Sequence, residues 1–84
     1  MHPDIGNRRQ KRTAFLERLY EIVDASVSTF VSGFEVGESI GVDHDETHKI
    51  IEYLEEKGLI HIDDHKTGII RITAAGIDHV ETAT

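Results

Sequence analysis

The stretch from Val42 to Leu59 constrains this chain most, because it carries a helix start signal, an apolar stripe and a helix stop signal that agree with one another. Asp43 can act as the N-cap, and Glu46 follows three residues later, as in a capping box. Gly58 supplies the positive φ with which many helices end. Between them, residues at spacings of three and four share one helical face: Thr47, Ile50, Ile51 and Leu54. We therefore predict a helix over about residues 44–57.

A shorter helix and a hairpin are predicted on either side. Ser32 and Glu35 have the capping-box spacing again, and Gly41 ends the helix that they open, so that a tight turn joins two helices as in a helix-turn-helix. Downstream, the runs Leu59–Asp63 and Ile69–Thr73 enclose a polar turn, which is typical of a β-hairpin. Their alternation places four isoleucines on the face toward the helices: Ile60, Ile62, Ile70 and Ile72.

The rest of the chain is expected to complete one small domain over residues 7–82, after a flexible tail at residues 1–6. Asn7 is the predicted N-cap of a long helix that runs to about Ser26. Its core stripe is predicted as Phe15 or Leu16, Leu19, Ile22, Val23 and Ser26. The β-prone run at residues 28–32 is expected to add a third strand, and Phe30 or Phe34 is expected to join the core. Thr73 is expected to cap a last short helix.

Two segments resemble the signatures of winged-helix domains, of which the MarR-like and ArsR-like repressors are well-known examples. Gly41–Ile60, which reads GVDHDETHKIIEYLEEKGLI, resembles their recognition helix. Ile72–Ile77 resembles the step from the wing into the last helix. The likeness spans about residues 13–80 and implies an α+β winged helix with a three-helix core, a small antiparallel sheet whose β-hairpin forms the wing, and a short C-terminal helix.

The resemblance implies a DNA-binding transcriptional regulator whose helix at 44–57 enters the major groove, while the wing at 63–68 and a basic arm contact the backbone. The candidate DNA-binding residues are His44, Asp45, His48, Lys49, Lys66, Arg71, Arg8, Arg9 and Arg12. Basic side chains can donate to phosphate or guanine, and Asp45 can accept from cytosine. Such proteins commonly bind as homodimers, for which Tyr20, Val27 and Ile69 are the candidate surface.

The charge of the chain leaves a second interpretation open. It carries 16 acidic residues against 9 basic ones, a formal net charge of −7, whereas DNA-binding domains usually present a basic footprint. A salt-adapted source would account for this charge. The alternative is a winged-helix interaction module whose acidic main helix binds a basic protein partner. A positive stripe through the candidate cations would favour DNA, and an unbroken negative helix face would favour the protein partner.

Other classes of function find no support in the residues. The chain has no cysteine, no apolar run of membrane-spanning length and no apolar leader segment, so we expect a soluble, cytoplasmic protein. His44 and His48 have the spacing of a helical metal-binding pair, but Asp45 stands where the zinc-protease motif needs glutamate. No nucleophile–base pair is evident. We therefore expect no enzymatic activity, no metal site and no cofactor.

Overall fold

Four helices and a three-stranded sheet make up the computed structural model, which describes the backbone of residues 3–83 and the side chains of residues 6–83. The elements are α1 (Pro3–Val23), β1 (Val31–Ser32), α2 (Gly33–Ser39), α3 (His44–Glu56), β2 (Ile60–Asp64), β3 (Ile69–Ile72) and α4 (Ala74–Ala83). The sheet is antiparallel with the order β1-β3-β2. This α+β architecture was predicted, and it is compatible with a winged-helix layout. None of the helices within residues 3–83 is both long and apolar enough to cross a membrane.

The helix α3 follows its sequence signals closely. The Asp43 carboxylate accepts a hydrogen bond from the Glu46 N–H (Oδ1–N 2.8 Å), which satisfies one backbone donor of the first turn. Gly58 ends the helix with φ +76°. The predicted stripe is buried throughout: Thr47, Ile50, Ile51 and Leu54. Burial of this face seats α3 on the core and leaves the opposite face of the helix exposed.

The sheet closes the core from the other side. In the hairpin, Ile60 lies opposite Ile72 and Ile62 opposite Ile70, and all four side chains are buried as predicted. The third strand is also present, but β1 pairs with β3 only through Val31 and Ser32, fewer residues than the sequence indicated. A hydrogen bond from the Gly33 N–H to the Gly68 carbonyl (2.8 Å) joins the start of α2 to the hairpin.

The first helix differs from its prediction at both ends. It begins at Pro3, so it extends into the segment expected to be a tail, and Asn7 lies inside it and is not its N-cap. Proline is well suited to a first helical turn, because its fixed φ matches the helix and its missing N–H would have no intrahelical partner there. At the other end α1 stops at Val23, and Asp24 and Ala25 take positive φ values of 52° and 58°, so Ser26 is not helical.

Two predictions about the core are wrong. Ile22 is 41% exposed because it lies about 70° from the centre of the stripe formed by the four buried residues of α1. Those residues are Phe15, Leu16, Leu19 and Val23. Phe30 is 57% exposed, since pairing with β3 starts only at the next residue and does not hold Phe30 on the sheet. Phe34 is only half-buried. Val36, Val42 and Val80 are buried in the core, in agreement with the apolar pattern of their helices and turn.

Candidate nucleic-acid interface

The outward face of α3 is exposed and mostly acidic. Asp45, Glu52 and Glu56 are exposed there. His48 lies among them with its Nε2 3.5 Å from Glu52 Oε2, a pairing of residues four apart on one helix. Asp45 and His48 therefore lie where the sequence predicted, on the accessible first turns of α3. Their surroundings favour a cationic ligand over a phosphate.

His44 is exposed at the start of α3, but one face of its ring is covered. The imidazole stacks on Phe34 with ring centroids 3.9 Å apart and planes inclined by 7°. Phe34 also lies against Gly68, where an added Cβ would overlap its ring. His44 is thus held near the hairpin through Phe34, and the N–H groups of its ring, which lie in the ring plane, are not covered by the stack. Sequence spacing gave no sign of this stack, because the rings are ten residues apart on different helices.

On the side of α3 that faces α1, cationic residues from both helices meet. A depression of about 140 Å³ is lined by Arg8, Arg12, Glu46, Lys49, Ile50 and Tyr53. An adjacent depression of about 250 Å³ is lined by Arg9, Arg12, Thr13, Leu16, Tyr53, Leu54, Lys57, Leu59 and His79. Arg12 and Tyr53 belong to both. Four candidates from the sequence, Arg8, Arg9, Arg12 and Lys49, are therefore brought together here.

Arg12 and Tyr53 form the centre of this cationic region. The guanidinium carbon of Arg12 lies 3.9 Å from the centroid of the Tyr53 ring, which is the geometry of a cation–π contact. Tyr53 remains 40% exposed. Tyr53 and Lys57 were not among the predicted site residues. Their spacing was the available signal, because Lys49, Tyr53 and Lys57 follow one another at intervals of four and so share a helix face.

The hairpin presents its two predicted cations differently. Arg71 Nε lies 3.7 Å from Asp63 Oδ2, and His61 Nε2 lies 3.7 Å from Asp63 Oδ1, so the charge of Arg71 is partly offset. Lys66 is exposed at the tip. Its backbone N–H donates to the Asp64 carboxylate (2.9 Å), and this bond, supported by the Thr67 hydroxyl, holds the pKa of Asp64 below its ordinary value.

The hairpin side of α3 carries a carboxylate instead of a cation. Glu55 accepts a hydrogen bond from the Ile62 N–H (3.1 Å), and its other oxygen lies 4.0 Å from His65 Nε2. The candidate cations therefore do not form one stripe across α3. They divide into a group beside α1 and a pair on the hairpin, with the acidic outward face between them.

The residues expected at a dimer surface are not equally available. The Tyr20 hydroxyl donates to Glu81 (Oη–Oε2 2.7 Å), a bond that ties α1 to α4 and raises the pKa of Tyr20 above its ordinary value. Ile69 is half-buried, and Val27 is 40% exposed.

Among the side chains of residues 6–83, no group of three or more His, Asp or Glu residues is arranged to hold a metal ion. Comparison of the chain with protein-family models, with curated proteins and with solved structures gives no significant match. The functional assignment therefore depends on the geometry and charge of the surface itself.

Proposed function

We propose that this chain is a winged-helix DNA-binding protein that acts in transcriptional regulation and contacts duplex DNA through α3. The observation that carries the proposal is that the exposed first turns of α3 are flanked by cations from α1, although the chain as a whole has a net charge of −7. Folding concentrates positive charge beside α3, which is the helix that a winged-helix domain would insert into the major groove.

The order of the elements supports this proposal. A helix, a short strand, two helices joined by a tight turn, a hairpin and a last helix follow one another, as in a winged helix. In that layout α3 is the recognition helix and the loop between β2 and β3 is the wing. Lys49 and the arginines of α1 would then contact phosphates, while Asp45, His44 and His48 would lie toward base edges. Lys66 and Arg71 would be the contacts of the wing.

The test is binding to a pool of random duplex DNA across a salt series. We expect binding that weakens steeply with salt, and a double-logarithmic slope that falls by about one for each phosphate contact removed. Lys49→Ala and Lys66→Ala, singly and together, remove candidate contacts. Arg18→Ala is the matched control, because Arg18 carries the same charge but pairs with Glu21 and Ser39 away from the candidate face. No binding by the wild type even at low salt would refute the proposal.

The acidic outward face of α3 favours a second candidate function, a winged-helix module that binds a basic protein. Asp45, Glu52 and Glu56 would attract such a partner and repel the DNA backbone. This function predicts that an oligolysine peptide binds the wild type and that Glu52→Gln/Glu56→Gln abolishes the binding. Under the DNA-binding proposal, the same double variant would bind duplex DNA more tightly, because two repulsive charges are removed.

A further inference from the structure

The basic residues of this acidic chain are strongly segregated. Of its nine Lys and Arg residues, five line the two adjoining depressions between α1 and α3: Arg8, Arg9, Arg12, Lys49 and Lys57. A sixth, Lys11, lies at the edge with its Nζ 3.8 Å from Glu46 Oε1. Among the lining residues that the structure describes, Glu46 is the only carboxylate. Five cations that share one region of the surface create a local positive potential, which attracts anions.

We propose that this α1–α3 groove, defined by Arg8, Arg9, Arg12, Lys49, Tyr53 and Lys57, binds the phosphodiester backbone of nucleic acid, with Arg12 as its central phosphate ligand. The inference rests on the proposed function and deepens it. The resemblance to winged helices implied backbone contacts from both the hairpin wing and a basic arm. The proposal places the main backbone contact on the α1 side of α3 and adds Tyr53 and Lys57 to it.

Arg12 is prepared for this role by Tyr53. Its guanidinium lies 3.9 Å from the centre of the tyrosine ring, so the stack limits the freedom of a side chain that is otherwise rich in rotamers. A stacked guanidinium still has its N–H groups in its own plane, where they can donate two parallel hydrogen bonds to a phosphate. Because the contact with Tyr53 restrains Arg12 before binding, less conformational entropy is lost when the phosphate binds.

The residues around Arg12 suit a chain of phosphates better than a single anion. Arg12 is shared by both depressions, with Arg8 and Lys49 on one side of it and Arg9 and Lys57 on the other. Cations therefore continue along the groove in both directions. The charge of Glu46 is offset by Lys11, so it adds little repulsion. By contrast, the hairpin side of α3 presents Glu55, and the wing cation Arg71 is paired with Asp63.

The experiment compares variants that keep charge but change geometry. Arg12→Lys retains the positive charge and loses the planar fork, and Tyr53→Leu removes the stacking ring. We expect each to weaken the binding of one fixed DNA duplex at low salt by about 10-fold, as the loss of a charge-assisted hydrogen bond would. Tyr53→Phe keeps the ring face, so its affinity should stay within about 2-fold of the wild type. Arg18→Lys, the same exchange elsewhere on α1, should leave the affinity unchanged. Thermal melting of every variant checks that the fold is retained.

The outcomes separate the two proposals. Duplex binding with equal affinities for Arg12→Lys and Arg18→Lys would overturn the groove and leave the DNA-binding function in place. If the wild type binds no duplex, the proposed DNA-binding function is refuted. The groove proposal is then tested by measuring the binding of a single-stranded oligothymidine. Binding of that probe with loss in Arg12→Lys supports the groove, and no binding overturns it. If oligoglutamate binds as tightly as the nucleic-acid probe of the same length, or more tightly, the groove proposal is overturned. An acidic protein would then be the favoured ligand.

Discussion

At the scale of single residues, the contact between Thr47 and Gly37 determines how closely α2 approaches α3. Thr47 is 1% exposed, and its hydroxyl has no hydrogen-bond partner. It lies over Gly37, where an added Cβ would overlap the Thr47 side chain. The tight helix–helix contact is therefore obtained at the cost of a desolvated hydroxyl.

This leads to a prediction for Thr47→Val. Valine has nearly the same shape and no polar group to desolvate, so we expect the free energy of unfolding to rise by about 1 kcal/mol. Thr47→Ala is the companion variant and should lower it by about 1 kcal/mol, because it leaves a small cavity. Urea denaturation measures both. A valine variant less stable than the wild type would mean that the hydroxyl does make a stabilising bond.

At the scale of secondary-structure elements, the end of α3 fixes where the hairpin begins. Gly58 has φ +76°, and the N–H groups of Gly58 and Leu59 donate to the carbonyls of Glu55 and Leu54, both at 2.9 Å. These bonds satisfy two of the last carbonyls of the helix and turn the chain into β2. An added Cβ at Gly58 meets no atom within 4 Å. A residue with a side chain would therefore be strained here only by the left-handed backbone conformation and not by a steric clash.

We therefore predict that Gly58→Ala lowers the free energy of unfolding by about 1 kcal/mol, because the left-handed conformation is unfavourable for alanine. Gly58→Asn should cost less, since asparagine tolerates this conformation better. Gly6→Ala is the control. Gly6 lies within α1 and also has open space around it, so there alanine should not destabilise the protein. Thermal or urea unfolding gives the three values, and equal losses at both glycines would contradict the explanation.

At the scale of the whole molecule, the net charge of −7 acts against the compact state. Among the described residues, none of the four helices has a basic residue in its last turn to complement its dipole. Glu38 and Glu56, near the ends of α2 and α3, place negative charge where it is least favourable. The fold and the proposed DNA contact should therefore respond to salt in opposite directions.

We predict that the melting temperature of the free protein rises between about 0.05 and 1 M NaCl, because salt screens the repulsion between its carboxylates. Glu38→Gln/Glu56→Gln should raise the melting temperature at low salt and reduce its dependence on salt. Over the same range the affinity for DNA should fall. A melting temperature that decreases with salt in the wild type would show that favourable ion pairs outweigh the repulsion.

The sequence by itself determined the elements whose signals are local. The N-cap at Asp43, the glycine after α3 and the buried faces of α3 and the hairpin all depend on residues a few positions apart. Local backbone chemistry and the helical or strand period therefore predict them. A local signal can also mislead: Asn7 and Gln10 have the capping-box spacing, but Asn7 lies inside α1.

Only the tertiary structure decided which charged groups lie together. Arg12 and Tyr53 are 41 positions apart, and their stack exists because α1 and α3 pack side by side on a shared core. The same packing leaves Phe30 exposed, half-buries Phe34 and pairs Arg71 with Asp63. Electrostatic interaction depends on distance in space. The total charge could therefore be counted from the sequence, but the basic groove on an acidic chain became apparent only in the folded molecule.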